Sequence, residues 1–427
     1  MKTNIKNTNS YTRTLSVVVP WASIKEEFNK EFLAHSKKFK IDGFRAGKVP
    51  RNIVQREIGP AIEANFGEKA LNKYYQQALI ELKIIPINQA QITDLSFKQN
   101  EDFNFTAVFE VRPKFKLPDY KKKIKFKINR YTISNLDVKH SLSELQNNQS
   151  KLKEVSKASI GNYILADFQE LDENGVAIIG NKIEKQYIKL GEGNFDEKVS
   201  DLICGKKVSD KVVVELPYGE AKITKFELEI KKIEEQVLPK LDSKFAKSIN
   251  PDFKGMKDLE SELEKNITKN LNDDFDKRCN GKIIDYFVDK TKVDVPKSML
   301  DMFLKNMFED EKKKPENKNI DESEFSEKNK PYAEKNIKWL FCRDELIKEL
   351  EIKIKDKQVD DFIKQLCIDN NQQKSEIKKY YQDENNKKNL KSDLLTQSLF
   401  KKINDFATIK ILEKSTDDLR NEKNAKK

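Results

Sequence analysis

Residues 43–50 read Gly43-Phe44-Arg45-Ala46-Gly47-Lys48-Val49-Pro50, a short basic segment between two helical patterns. Two glycines let the backbone turn sharply, and Pro50 restricts the exit. Between them a large aromatic residue, an arginine and a lysine are presented on a projecting loop. From 30 to 56 there are eight basic residues (Lys30, Lys37, Lys38, Lys40, Arg45, Lys48, Arg51, Arg56) against Glu31 and Asp42, so this stretch alone is +6. Its Arg and Lys side chains suit phosphates, and Phe44 suits a protein groove or a stacking surface. The plain alternative is a solvated loop with the Phe tucked under its own domain.

Outward from the loop, Leu15, Val17 and Val19 mark a strand. Ser23 and Glu26 predict a capping box for a helix burying Ile24, Phe28 and Phe32. After the loop, Ile62, Phe66, Tyr74, Ala78 and Leu82 keep helical spacing. Phe103, Phe105, Ala107, Phe109 and Val111 alternate as a half-buried strand. Residues 1–113 therefore read as an α/β domain. Pro113 and Pro118 punctuate a Lys-rich linker, and a polar helix is expected over 135–154; residues 114–149 form a linker that packs with the later helices. Strand patterns at 163–168, 186–190, 211–216 and 224–230, with turns at 172–175 and 191–193, make 150–236 a small β-rich domain.

Helix dominates 237–427. Leu259, Leu263, Ile267, Leu271 and Phe275 recur every four residues. Val295-Pro296 restarts a helix. A charged stretch, 311–330, precedes a helix beginning around Ala333, Ile337, Leu340 and Phe341. A last one carries Leu394, Leu395, Leu399, Ile403 and Phe406, and the tail after Ser415 is expected to fray. The fold class is thus α+β and multidomain.

With 427 residues, two or three domains fit. Hydrophobic and charged residues, at 37% and 36%, supply packed cores under heavily charged surfaces, and the net +11 favours acidic partners. The cysteines, Cys204, Cys279, Cys342 and Cys367, form no C-x-x-C pair, which speaks against a zinc site or disulfide framework. His35 and His140 are the only histidines, which nearly excludes triad and multi-histidine metal chemistry. No metal and no cofactor is expected. Residues 1–10 are polar, and no apolar run of signal or membrane-span length follows, so a soluble cytoplasmic protein is expected.

The motif G-F-R-x-G-K-x-P at 43–50 resembles, without a gap, the ribosome-docking signature of trigger factors. The likeness extends to the Ser23 helix, the 103–111 strand, the Lys292-Val293-Asp294-Val295-Pro296 helix start and a final helix over 394–411. It covers essentially the whole chain. Ala46 stands where many members carry another basic residue, leaving Arg45 and Lys48. The resemblance implies an ATP-independent chaperone that docks near the exit tunnel through Gly43, Phe44, Arg45, Gly47, Lys48 and Pro50. Its partners would be the large ribosomal subunit (ribosomal protein and rRNA) and nascent or unfolded polypeptides, with a homodimer off the ribosome and neither DNA nor membrane. Roles in protein export and cell division come with the family alone.

The middle resembles the family's FKBP-like peptidyl-prolyl isomerase domain at Asp167-Phe168, Leu190-Gly191, Gly193, Gly205-Lys206-Lys207 and Phe226-Glu227-Leu228. Such isomerases hold an X-Pro bond in an apolar, aromatic-lined pocket without a cofactor. Here the family's Ile-Pro-Gly-Phe segment falls on Asp196, Glu197, Lys198 and Val199, and the next pocket loop shrinks to Pro217-Tyr218-Gly219-Glu220. Charges in place of an apolar wall should weaken proline binding. Tyr163, Phe168, Tyr187, Phe195 and Phe226 are candidates for a pocket or for plain core. The helical part, by resemblance, forms arms around a cradle for clients. Met299, Met302, Phe303, Met307 and Phe308 are its candidate client-binding group, because flexible thioethers accept many sequences, or else an ordinary helix core. A proline isomerase acting on free clients and an RNA-binding assembly factor are the competing readings.

Overall fold

In the computed structural model, the alternating N-terminal residues build a four-stranded antiparallel sheet. Its strands are β1 (Lys2–Asn7), β2 (Thr12–Val19), β3 (Gln91–Ser96) and β4 (Phe103–Glu110), in the order β1-β2-β4-β3. The structure describes every residue except 46, 122, 219–221, 315–319, 370–372 and 425–427. Strand β4 alternates strictly, with Phe103, Phe105, Ala107 and Phe109 buried. These meet Ile24, Phe28 and Phe32 of α1 (Trp21–Lys38) and Ile62, Phe66, Tyr74 and Ala78 of α2 (Arg51–Leu82) in one core. Phe28 sits edge-on to Phe66, with ring centroids 5.3 Å apart, so the aromatic residues add directional contacts to simple burial.

Helix α1 starts two residues before Ser23, so the expected capping box is not formed. Pro20 holds the N-cap position without a side-chain acceptor, and Asp102 Oδ1 accepts from the Trp21 N–H at 2.9 Å. A carboxylate distant in sequence thus does the capping.

Beyond this layer come β5 (Lys125–Thr132) and α3 (Asn135–Asn148). The helix expected to reach 154 stops at Asn148. Lys151–Glu154 is instead strand β6, paired with the end of β10 (Lys222–Val237). The remaining strands are β7 (Tyr163–Leu171), β8 (Ala177–Lys189) and β9 (Lys211–Tyr218), with α4 (Glu197–Ile203) between β8 and β9. The sheet runs β6-β10-β7-β8, with β9 also on β10.

The rest is mainly helical: α5 (Ser243–Ile249), α6 (Met256–Lys290), α7 (Lys297–Lys312), α8 (Glu322–Glu349), α9 (Asp356–Asp369), α10 (Lys374–Tyr380) and α11 (Glu384–Asn404). Helix α8 begins well before Ala333, capped by Asp321, whose side chain accepts from the Glu324 N–H at 2.9 Å; Pro331 lies inside it. The final helix does not run to 411. It ends at Asn404, and Thr408–Ser415 is strand β11, paired with β5. The β-branched alternation Thr408-Ile409-Lys410-Ile411 is a strand pattern, so the region is not all helix.

The tail beyond Ser415 is not frayed through Asn424: it forms α12 (Thr416–Asn424). Arg420 pairs with Asp137 and Asp417, Thr416 donates to Asp137, and Ser134 Oγ donates to Asp417 at 2.9 Å. Burial works to raise the Asp137 pKa. The Ser134 N–H, the Thr416 hydroxyl and the Arg420 charge overcome it and hold the carboxyl below its ordinary value.

By compactness the chain divides into two discontinuous units: residues 1–127 with 278–410, and 128–277 with 411–427. In the first, Tyr120 and Ile124 pack with Ile283, Phe287, Cys342, Leu346, Leu399 and Ile403. In the second, the strand core is separate from a smaller cluster of Leu142, Phe245, Ala246 and Leu259.

Candidate functional site

The loop between α1 and α2 is shaped by its glycines. Gly43 and Gly47 have φ of +88° and +77°, the left-handed region that a Cβ disfavours. The Phe44 N–H donates to Ile41 O at 3.2 Å and the Lys48 N–H to Arg45 O at 2.9 Å, two successive tight turns. Val49 is buried in the core and anchors the exit, while the Pro50 carbonyl accepts from Ile53 and Val54 to open α2. Between these anchors Phe44 is 43% exposed, and Arg45 and Lys48 are exposed. Ala46 lies outside the described residues.

The surrounding basic residues divide in two. The Arg51 guanidinium lies 4.6 Å from the Phe32 ring centroid and donates to Asn29 Oδ1 at 2.8 Å; Arg56 pairs with Glu57 at 2.9 Å. These two are occupied by the fold. Lys30, Lys37, Lys38, Lys40, Arg45 and Lys48 form no ion pair among the described residues. Two of the three acids of α1, Glu27 and Glu31, are turned to Lys73 and Lys69 of α2. The loop therefore presents a net excess of positive charge beside an exposed ring.

The five aromatic residues of the strand-rich middle do not gather in one place. Phe168, Phe195 and Phe226 are buried and pack edge-to-face, with centroids 6.0 and 6.1 Å from Phe168. Side chains alternate along β7, so Tyr163 lies on the opposite face from Phe168. It stacks there on Tyr187 at 5.5 Å. Burial and the hydrogen bond donated to Glu234 push the Tyr187 hydroxyl up to about 12.

Asp167, on the Tyr163 face, is committed to structure as well. It accepts the N–H of Lys185, a bulge residue at φ +54°, at 2.9 Å, and Lys182 and Lys231 lie 3.3 and 3.7 Å away. The Lys185 N–H and these charges hold its carboxyl below the ordinary range. Asp196 caps α4 by accepting from the Val199 N–H, and Asp196, Glu197 and Lys198 are exposed. Of the shortened pocket loop, Tyr218 pairs with Lys222, while Gly219 and Glu220 lie outside the described residues.

The methionine-rich helix α7 is divided too. Met299 and Phe303 pack against Val293, Ile337 and Phe341, and Phe308 is buried against Phe325 with centroids 5.6 Å apart. Met302 is 59% exposed. Met307 lines a hollow of about 790 Å³ shared with Phe325, Asp310 and Asp321. Among the described residues no group of three or more His, Cys, Asp or Glu could hold a metal ion, and no helix is long and apolar enough to cross a membrane.

A projecting charged loop on an α/β base, joined to a strand-rich middle and to helices with isolated apolar faces, is the build of a protein that works through its surfaces. Known proteins agree. The family description "Bacterial trigger factor protein (TF)" matches residues 1–145, and "Bacterial trigger factor protein (TF) C-terminus" matches 255–405. Trigger factor of Chlorobaculum tepidum is 27% identical over 85% of this chain and 86% of its own. That of Halothermothrix orenii is 27% identical over 85% and 89%, and that of Syntrophotalea carbinolica 24% over 97% and 98%. A solved trigger factor chaperone chain superposes with a TM-score of 0.49 at 18% identity over 94% of this chain, too loosely to add weight. The chain belongs to the bacterial trigger factor family, whose members are ribosome-associated chaperones.

Proposed function

We propose that the chain docks on the large ribosomal subunit near the tunnel exit through residues 43–50, and that its helical part holds nascent polypeptides without ATP in the cytoplasm. Phe44 would meet ribosomal protein, and Arg45 and Lys48 would meet rRNA phosphates. One observation carries this: Phe44, Arg45 and Lys48 are exposed, unneutralised and unused by the fold, on a backbone that glycines shape. Export and self-association into a homodimer off the ribosome come with the family resemblance alone. The test is co-sedimentation with ribosomes. Phe44→Ala with Arg45→Glu and Lys48→Glu should abolish it without unfolding, and wild-type binding should weaken as salt rises. Undiminished sedimentation of the triple variant would overturn the docking assignment.

The same reading gives the strand-rich middle weak isomerase activity or none. Supporting it, Phe168, Phe195 and Phe226 are spent on one another, and the charged residues 196–198 cap and form a helix. With the intact chain, kcat/KM on a free X-Pro peptide should fall well short of about 10⁶ M⁻¹s⁻¹. A value at that level would mean that another pocket is at work.

A further inference from the structure

The positive surplus of the chain has two sources, and the docking loop is only one of them. Residues 114–127 carry seven lysines against the single Asp119, so this stretch is also +6; with the loop region it accounts for the whole net +11. Its apolar residues turn inward: Phe115, Leu117, Tyr120, Ile124 and Phe126 join the core with Phe287 and Leu399. The Tyr120 hydroxyl donates to Glu349 at 3.0 Å, and Arg112 just upstream pairs with Asp344 at 2.8 Å, so the segment is pinned down.

Lys114, Lys116, Lys121, Lys123, Lys125 and Lys127 are all exposed, and none forms an ion pair among the described residues. Lys125 and Lys127, two apart on β5, stand about 6.8 Å apart, within a Debye length of about 8 Å, while the Lys123 N–H turns back to Tyr120 O at 3.2 Å. Neighbouring lysines repel one another, and no ion pair among the described residues offsets that. We propose that this ridge is a second contact for the RNA phosphate backbone, independent of residues 43–50 and blind to base sequence. An acidic polypeptide fits it less well. Lysine offers point charges, suited to a polymer with one charge per nucleotide, and no exposed apolar side chain stands between the described lysines to grip a protein.

The experiment uses the intact chain, a fluorescent poly-uridine RNA and salt from about 50 to 200 mM. Changing the six described lysines to Gln should lower affinity at least tenfold at low salt and flatten the log K against log salt slope by about 4, at roughly 0.7 per lost contact. Six Lys→Arg changes should keep both, and the Gln variant should melt no lower than wild type. An unchanged slope and affinity in the Gln variant overturn the proposal. So does loss of RNA binding only in Arg45→Glu/Lys48→Glu, an outcome that leaves ribosome docking by the loop intact. Displacement of the RNA by poly-glutamate at equal charge concentration would instead assign the ridge to acidic proteins.

Discussion

Phe44 and Phe226 are the same residue type in two candidate sites, and the structure treats them oppositely. Phe44 projects from a loop whose exit is anchored by buried Val49 and whose turns are shaped by glycines, and it is 43% exposed. Phe226 is 3% exposed and closes an edge-to-face trio with Phe168 and Phe195. The same contrast separates Arg45 from Arg51, which is bound to Phe32 and Asn29. A side chain is free to serve a partner when the fold has left it unused. Ring count or charge count alone does not reveal which those are.

Stability measurements can break that contrast. Phe226→Ala removes a fully packed ring and should cost about 3–5 kcal/mol in the melting of the strand-rich unit, whereas Phe44→Ala should stay within about 0.5 kcal/mol. Equal losses would mean that Phe44 is core after all. A smaller effect concerns Asp167. Asp167→Ala leaves the Lys185 N–H without its acceptor and should cost about 1–3 kcal/mol near neutral pH.

The pH dependence has a defined sign. The folded-state pKa of Asp167 is depressed, so its contribution is fully present above the unfolded value of about 3.9 and is lost as pH falls through the lower folded value. The stability difference between the wild type and the Ala variant should therefore narrow as pH falls below the ordinary carboxylate range. Smallest of all, Met302→Ser should leave the unfolding free energy unchanged within about 0.5 kcal/mol while weakening suppression of client aggregation. Phe303→Ala, in the α7–α8 packing, should lower the melting temperature by several degrees. If Met302→Ser melts early, the exposed methionine is structural.

Strong periodicity made much of the fold legible. The Phe103 to Phe109 alternation and the Ile24, Phe28, Phe32 stripe name their own buried faces, because burial in a strand or helix repeats at fixed spacing. Segments whose partners lie far away in sequence were not legible. Lys151–Glu154 is exposed throughout, with Leu152 its one apolar residue, and becomes a strand only by pairing with β10. Helix α1 takes its cap from Asp102, which no local pattern indicates. The loop at 43–50 stood out because glycine, aromatic and cation occur within eight positions, whereas the five aromatic residues of the middle could be sorted only once β7 showed which faces they share.

The clasp between α12 and the start of α3 has a consequence in time. Ser134 and Asp417 lie 283 residues apart in the chain. At about 5–20 residues per second, a ribosome takes roughly 15–60 s to make the second after the first. During that interval the Asp137 carboxyl has Ser134 as its local partner, and the Arg420 charge and Thr416 hydroxyl that also hold it have yet to be synthesised. The middle strands can pair in those seconds, but the fastening at α3 must wait for residues 416–420. The chaperone therefore emerges from its own ribosome with one seam still open, as a nascent chain of the kind that its family attends.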